Sequence, residues 1–130
     1  MKKTKKIIKI LFINCLSLFF LNSCTTKSDL SNIREVKYSA DISNIIASKC
    51  GSSECHGKDA MNSSLIGYEE LLDNGEVKEG NARGSKLYKM ITGRGFIGTV
   101  NRMPPKGNTD ITDREISLIY VWIEQGAKNN

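Results

Sequence analysis

The segment Ser48-Lys49-Cys50-Gly51-Ser52-Ser53-Glu54-Cys55-His56-Gly57 puts two cysteines beside the chain's single histidine. Cys-x-x-Cys-His is the spacing at which two thiols add to the vinyl groups of one haem and the adjacent imidazole comes to lie beneath the iron. In this sequence four residues separate Cys50 from Cys55. Gly51, Ser52 and Ser53 are small enough to let the two extra residues bulge outward, with Gly51 free to take a positive φ. Covalent haem attachment is the first chemistry to consider, with Cys50 and Cys55 as thioether donors and His56 as proximal ligand. A Cys50–Cys55 disulfide in a haem-free exported protein is a second, and would make His56 incidental. A zinc site needs four ligands, and the sequence offers no second Cys or His pair.

An iron bound by His56 needs a further ligand from chain distant enough to cover the opposite face. Met103, in Arg102-Met103-Pro104-Pro105, is best placed: Pro104 pushes Met103 toward extended backbone, and two fixed φ angles stiffen the loop. Met90 shares a helical apolar face with Leu87 and Ile91 and reads as core filling, while Met61 follows His56 too closely to cross over. The stretch Gly93-Arg94-Gly95-Phe96-Ile97-Gly98 matches G-x-G-x-x-G, but it follows a helix and leads into a proline-containing loop, the wrong context for a nucleotide. Those glycines would instead let the chain turn closely around a haem edge. Arg94 and Arg102 read as solvated charge within reach of a propionate. Tyr120 and Trp122 read as core or pocket wall rather than a redox relay.

The elements that must position these residues are short helices. Ile42, Ile45 and Ile46 fall at helical spacing after Asp41, a candidate cap, and that helix delivers Cys50. Tyr68 to Asp73 forms a second helical piece. Ser85 to Thr92 reads as a third, capped by Ser85 and stopped by Gly93. In the last, Thr112 and Glu115 make a capping box, Ile111 and Ile116 occupy the staple positions, and Gly126 ends it. Its apolar residues cover more than half the circumference, so it is expected to be nearly surrounded. Long loops between short helices suggest that a bulky apolar cofactor completes the centre.

Residues 1–23 have the layout of a secretory signal peptide: Lys2, Lys3, Lys5, Lys6 and Lys9, then the apolar run Ile10 to Leu21, then small and polar residues. Leu21-Asn22-Ser23-Cys24 resembles the lipobox of bacterial lipoproteins, which implies lipidation at Cys24 and anchoring to a bilayer surface without spanning it. Residues 24–35 then form a polar tether with a reach of roughly 20 Å. Loss of the first 23 residues removes five of the 19 basic residues and leaves 14 against 14 acidic ones. A near-neutral mature chain gives no argument for nucleic acid. With Cys15 in the discarded run, Cys50 and Cys55 are the cysteines left to explain.

From Val36 to Ala127 the pieces "VKYSADISNIIASKCGSSECHG", "GSKLYKMITG", "RMPP" and "ITDREISLIYVWIEQGA" occur in the order found in small class I-like cytochrome c domains. The chain resembles the lipoprotein-borne kind of Bacteroidetes and Planctomycetes. The resemblance implies an all-α domain over 36–127, first and last helices packed across one another, and one haem c held by the intervening loops. It further implies a membrane-anchored carrier of single electrons, exported to the periplasm or cell surface and served by redox partner proteins, rather than an enzyme. Two alternatives stay open: peroxidase-like chemistry at an iron lacking Met103, and a haem-free interaction lipoprotein held by a disulfide.

Overall fold

The computed structural model describes residues 29–94, 102–105 and 109–130. The expected signal peptide, Cys24 and the stretch from Gly95 to Gly98 lie outside the described residues. Within them the chain is a small all-α domain without a β-sheet. A π-helical turn (Tyr38–Ile42) runs into α1 (Ser43–Lys49); α2 (Tyr68–Asn74), a 3-10 turn (Ala82–Gly84), α3 (Lys86–Thr92) and α4 (Asp113–Glu124) follow. No helix among the described residues is long and apolar enough to cross a membrane.

The first helix begins three residues before its expected cap. Asp41 sits inside the opening turn and reaches back, accepting from the Lys37 N–H at 2.9 Å and from the Arg34 guanidinium at 2.7 and 3.0 Å. Arg34 and the Lys37 amide hold its carboxyl down, at about 2. The next unpaired helix donors find partners far along the chain: Asn130 accepts the Tyr38 N–H through Oδ1 at 2.8 Å and the Ser39 N–H through its carbonyl at 3.0 Å. Helix ends need such partners, and here they are long-range ones that local sequence does not reveal. Ile42, Ile45 and Ile46 all point into the core, as their spacing implies.

Ser85 stands at the start of α3 without capping it. Its buried hydroxyl accepts the Lys78 N–H at 2.8 Å and donates to the Asn81 carbonyl at 2.9 Å, fastening the preceding loop. The other end is as expected: Gly93 takes φ +68°, and the Gly93 and Arg94 amides bond back to Met90 and Lys89 in a Schellman arrangement.

On α4 the capping box is complete, with the Glu115 N–H on Thr112 Oγ1 at 3.2 Å and the Thr112 N–H on the Glu115 carboxylate at 2.7 Å. The helix is less enclosed than its composition suggests. Ile119, Trp122 and Ile123 are fully buried, whereas Ile116, Leu118, Tyr120 and Val121 are only half-buried against the core. α3, the 3-10 turn and the opening turn of the first helix pack against it, leaving part of its circumference uncovered. Tyr38 joins first and last elements: its ring lies 6.0 Å from Trp122 and 5.2 Å, edge-on, from Tyr68. Residues flanking 36–127 also bond to the domain, Gln125 to the Arg34 carbonyl and the Trp122 indole N–H to the Lys128 carbonyl.

Candidate functional site

The site begins where α1 ends. Cys50 keeps the last helical bond, its N–H on the Ile46 carbonyl at 2.9 Å, and is buried. The chain then turns sharply. The Cys55 and Gly57 amides both bond to the Ser52 carbonyl, and the His56 N–H returns to the Cys50 carbonyl at 3.0 Å. That last bond closes the loop and brings the histidine beside the first cysteine despite the long spacing. Ser52, Ser53 and Glu54 are exposed, so the extra residues project outward.

Gly51 is needed for a different reason from the one anticipated. Its φ is not positive; instead a Cβ there would run into Ile66 Cδ1 and lie 2.9 Å from the Ala47 carbonyl oxygen. Close approach, rather than backbone sign, excludes a side chain.

His56 is half-buried, and its ring is aimed by the loop that follows. Nδ1 lies 2.8 Å from the Ser63 carbonyl oxygen. A carbonyl only accepts, so Nδ1 carries the proton and Nε2 keeps its lone pair available to a metal. The His56 carbonyl in turn accepts the Leu65 N–H at 3.0 Å, which fixes the returning strand of the loop.

Met103 comes from a distant part of the chain. Its N–H donates to the Met90 carbonyl at 3.0 Å, and the bond to Pro104 is cis. Arg102 holds this segment down, donating through Nε to the Ile91 carbonyl at 3.1 Å and through Nη2 to the Ile111 carbonyl at 3.5 Å. Arg102 and Arg94 are both exposed, in keeping with the solvated charge the sequence suggested, and the Arg102 guanidinium serves the main chain as well.

Two cavities adjoin both His56 and Met103. One, of about 310 Å³, is walled by Leu65, Leu87, Met90 and Ile91; the other, of about 240 Å³, by Cys55, Pro104 and Pro105. Cys50, His56, Asn62 and Met103 line both. Cys50, Cys55, His56 and Met103 are therefore gathered at one place. Met90 joins them on the larger cavity, a position its helical stripe did not distinguish from core; Met61 is fully exposed. The Ser63 carbonyl left no trace in the sequence, because any residue supplies one.

The thiols of Cys50 and Cys55 are both free. Burial, reinforced by the charges of Cys55 and Glu115, pushes the Cys50 thiol up to about 11. Glu115 is held below the ordinary carboxylate range: burial opposes this, and the Thr112 amide and hydroxyl together with Lys49, at 3.7 Å, outweigh it. Cys50 is thus a protonated thiol near neutral pH, poor as a spontaneous nucleophile. Among the described residues, no three His, Cys, Asp or Glu side chains converge as a metal site. The chain matches no protein-family model, no curated protein and no solved structure.

Proposed function

We propose that the protein is a membrane-anchored monohaem c-type cytochrome that transfers single electrons, with a small cytochrome c-like fold. One observation carries the reading: Met103, remote in sequence from the Cys50-to-His56 loop, lines both cavities that this loop lines. The residues present fit a haem. Two free thiols supply thioether bonds, His56 offers Nε2 because Nδ1 is engaged, Met103 offers a thioether sulfur, and Leu65, Leu87 and Ile91 give an apolar wall. When bound, a haem c supplies a one-electron couple, whose potential a Met ligand raises.

In this reading the chain itself orients and excludes. The Ser63 carbonyl keeps the imidazole turned, the Met90 carbonyl and the Arg102 bonds hold the Met103 segment in place, and the apolar wall would keep water from a bound haem. If His56 and Met103 both held a haem iron, no position would be left open to oxygen, which would suit electron transfer and not oxygen activation. Export and lipidation at Cys24 place the domain at a bacterial membrane facing the periplasm or the exterior, near redox partner proteins. The test is maturation in a host competent for cytochrome c assembly. Denatured protein is expected to retain one haem, by mass and by its pyridine haemochrome spectrum, and Cys50→Ala with Cys55→Ala to abolish it. Recovery of a Cys50–Cys55 disulfide from fully matured protein would overturn the proposal.

A further inference from the structure

The segment that turns His56 is itself tied to another element. Ser63 supplies the carbonyl that lies 2.8 Å from His56 Nδ1. The next peptide group, between Ser64 and Leu65, is held at both ends. Its N–H donates to the His56 carbonyl at 3.0 Å, and its C=O accepts from Asn74 Nδ2 at 2.7 Å. Asn74 is the last residue of α2, a helix seated in the core by the fully buried Leu71. Leu65, which is buried, and Asn74 line the larger cavity together with His56.

We infer that Asn74 is a positioning residue for His56: it fixes the Ser64–Leu65 peptide, and through that peptide the Ser63 carbonyl that turns the imidazole. Each peptide group is a rigid plane, and neighbouring planes share one Cα, so pinning one plane at both edges restricts the carbonyl that precedes it. The remaining bond of Ser64, in which its Oγ accepts the Ile66 N–H at 3.1 Å, is internal to the segment and moves with it. Among the described residues, Asn74 supplies the hydrogen bond that reaches this segment from a separate helix. Accepting that bond also polarises the peptide and strengthens the Leu65 N–H as donor to the His56 carbonyl. The consequence for the metal rests on the cytochrome reading. An imidazole whose Nδ1–H stays bonded to a carbonyl is a more basic ligand, which favours ferric iron, so Asn74 would lower the reduction potential of the site.

The test variant is Asn74→Leu in the full chain. Leucine keeps the branched shape, adds no charge and is a better helix former, so the change removes the amide donor without weakening α2. His56 is the single histidine, so its imidazole nitrogen NMR signals need no assignment. In mildly alkaline buffer the haem-free parent is expected to carry its ring proton on Nδ1. Asn74→Leu should move part of the population to the Nε2-protonated form and speed exchange of the Leu65 amide about fivefold, the equilibrium factor of one ordinary intramolecular hydrogen bond. In matured protein the same variant should raise the reduction potential. Asn44→Leu removes a similar exposed bond, from Asn44 Nδ2 to the Ala40 carbonyl at 3.3 Å, and should change none of these readouts. Unchanged tautomer and exchange in Asn74→Leu would overturn the inference, as would a parent imidazole with no preference for the Nδ1 proton or a potential that stays or falls in the variant. Haem retention by the matured parent is scored separately: its absence defeats the cytochrome reading alone, and the haem-free measurements still decide the role of Asn74.

Discussion

The raised thiol of Cys50 leads to a prediction about reactivity in the haem-free protein. Its pKa moves from an ordinary 9.0 to about 11, first through burial and then through the charges of Cys55 and Glu115. Two units leave about one-hundredth of the usual thiolate at pH 8. A more basic thiolate is intrinsically more nucleophilic, with a Brønsted slope of about 0.4–0.5, which recovers roughly tenfold. The net expectation is alkylation by iodoacetamide about tenfold slower than for an unhindered cysteine, before any steric protection by the surrounding core. Peptide mapping after timed alkylation measures it. The Cys50 rate should keep rising beyond about pH 10, where an ordinary thiol levels off, and Glu115→Gln should increase it at pH 8 by removing one of the opposing charges. Alkylation of Cys50 at the rate of a free thiol, with a plateau by about pH 10, would refute the burial and charge argument together.

Three further outcomes are expected. In matured protein Met103→Ala should abolish the weak far-red sulfur-to-iron charge-transfer band, admit carbon monoxide and lower the potential. A band that survives there but vanishes in Met90→Leu would move the ligand to α3, and free binding of carbon monoxide by wild type would favour the peroxidase-like alternative. Asp41, held at about 2 when folded against an ordinary 3.8, contributes stability that is present above pH 4 and lost as pH falls toward 2. The shift corresponds to at most about 2.4 kcal/mol, reduced to about 1 kcal/mol because the Arg34 side chain is 63% exposed. Arg34→Ala should remove most of that acid-limb loss in a urea-denaturation series; an unchanged limb would dismiss the pair. Cys24→Ser should leave unlipidated precursor and shift membrane fractionation, and unchanged lipid labelling would count against the lipobox.

What could be read in advance follows the range of the interactions. The capping box at Thr112 and Glu115, the Gly93 stop and the buried face of Ile42, Ile45 and Ile46 depend on residues within a turn or two, and periodicity reveals them. The start of the first helix depends on Asn130, at the other end of the chain, and Ser85 is diverted to a loop that fixes it from behind. Neither partner has a local signature. At the site, residue types singled out Cys50, Cys55, His56 and Met103, which line adjoining cavities, but not Met90 as a neighbour of Met103 or the carbonyl that turns His56. Backbone acceptors are sequence-independent, so pattern reading misses them even where they determine orientation.

The spacing of the cysteines illustrates how the backbone can absorb a departure from a motif. Two added residues would ordinarily move His56 away from Cys50. Here both ends of the loop are tied: the Cys50 N–H remains in α1, and its carbonyl takes the His56 N–H. The distance between the two residues is then set by one hydrogen bond and not by the number of residues between them. The surplus is confined to Ser52, Ser53 and Glu54, which are exposed. Gly51 and Gly57 make the closure possible, since a Cβ at Gly51 would run into Ile66 and one at Gly57 would lie 2.9 Å from the Ser52 oxygen. Substituting alanine at either glycine should therefore disturb the placement of His56 more than deleting or replacing Ser53 does. That ordering is what separates a histidine positioned by loop closure from one positioned by motif length.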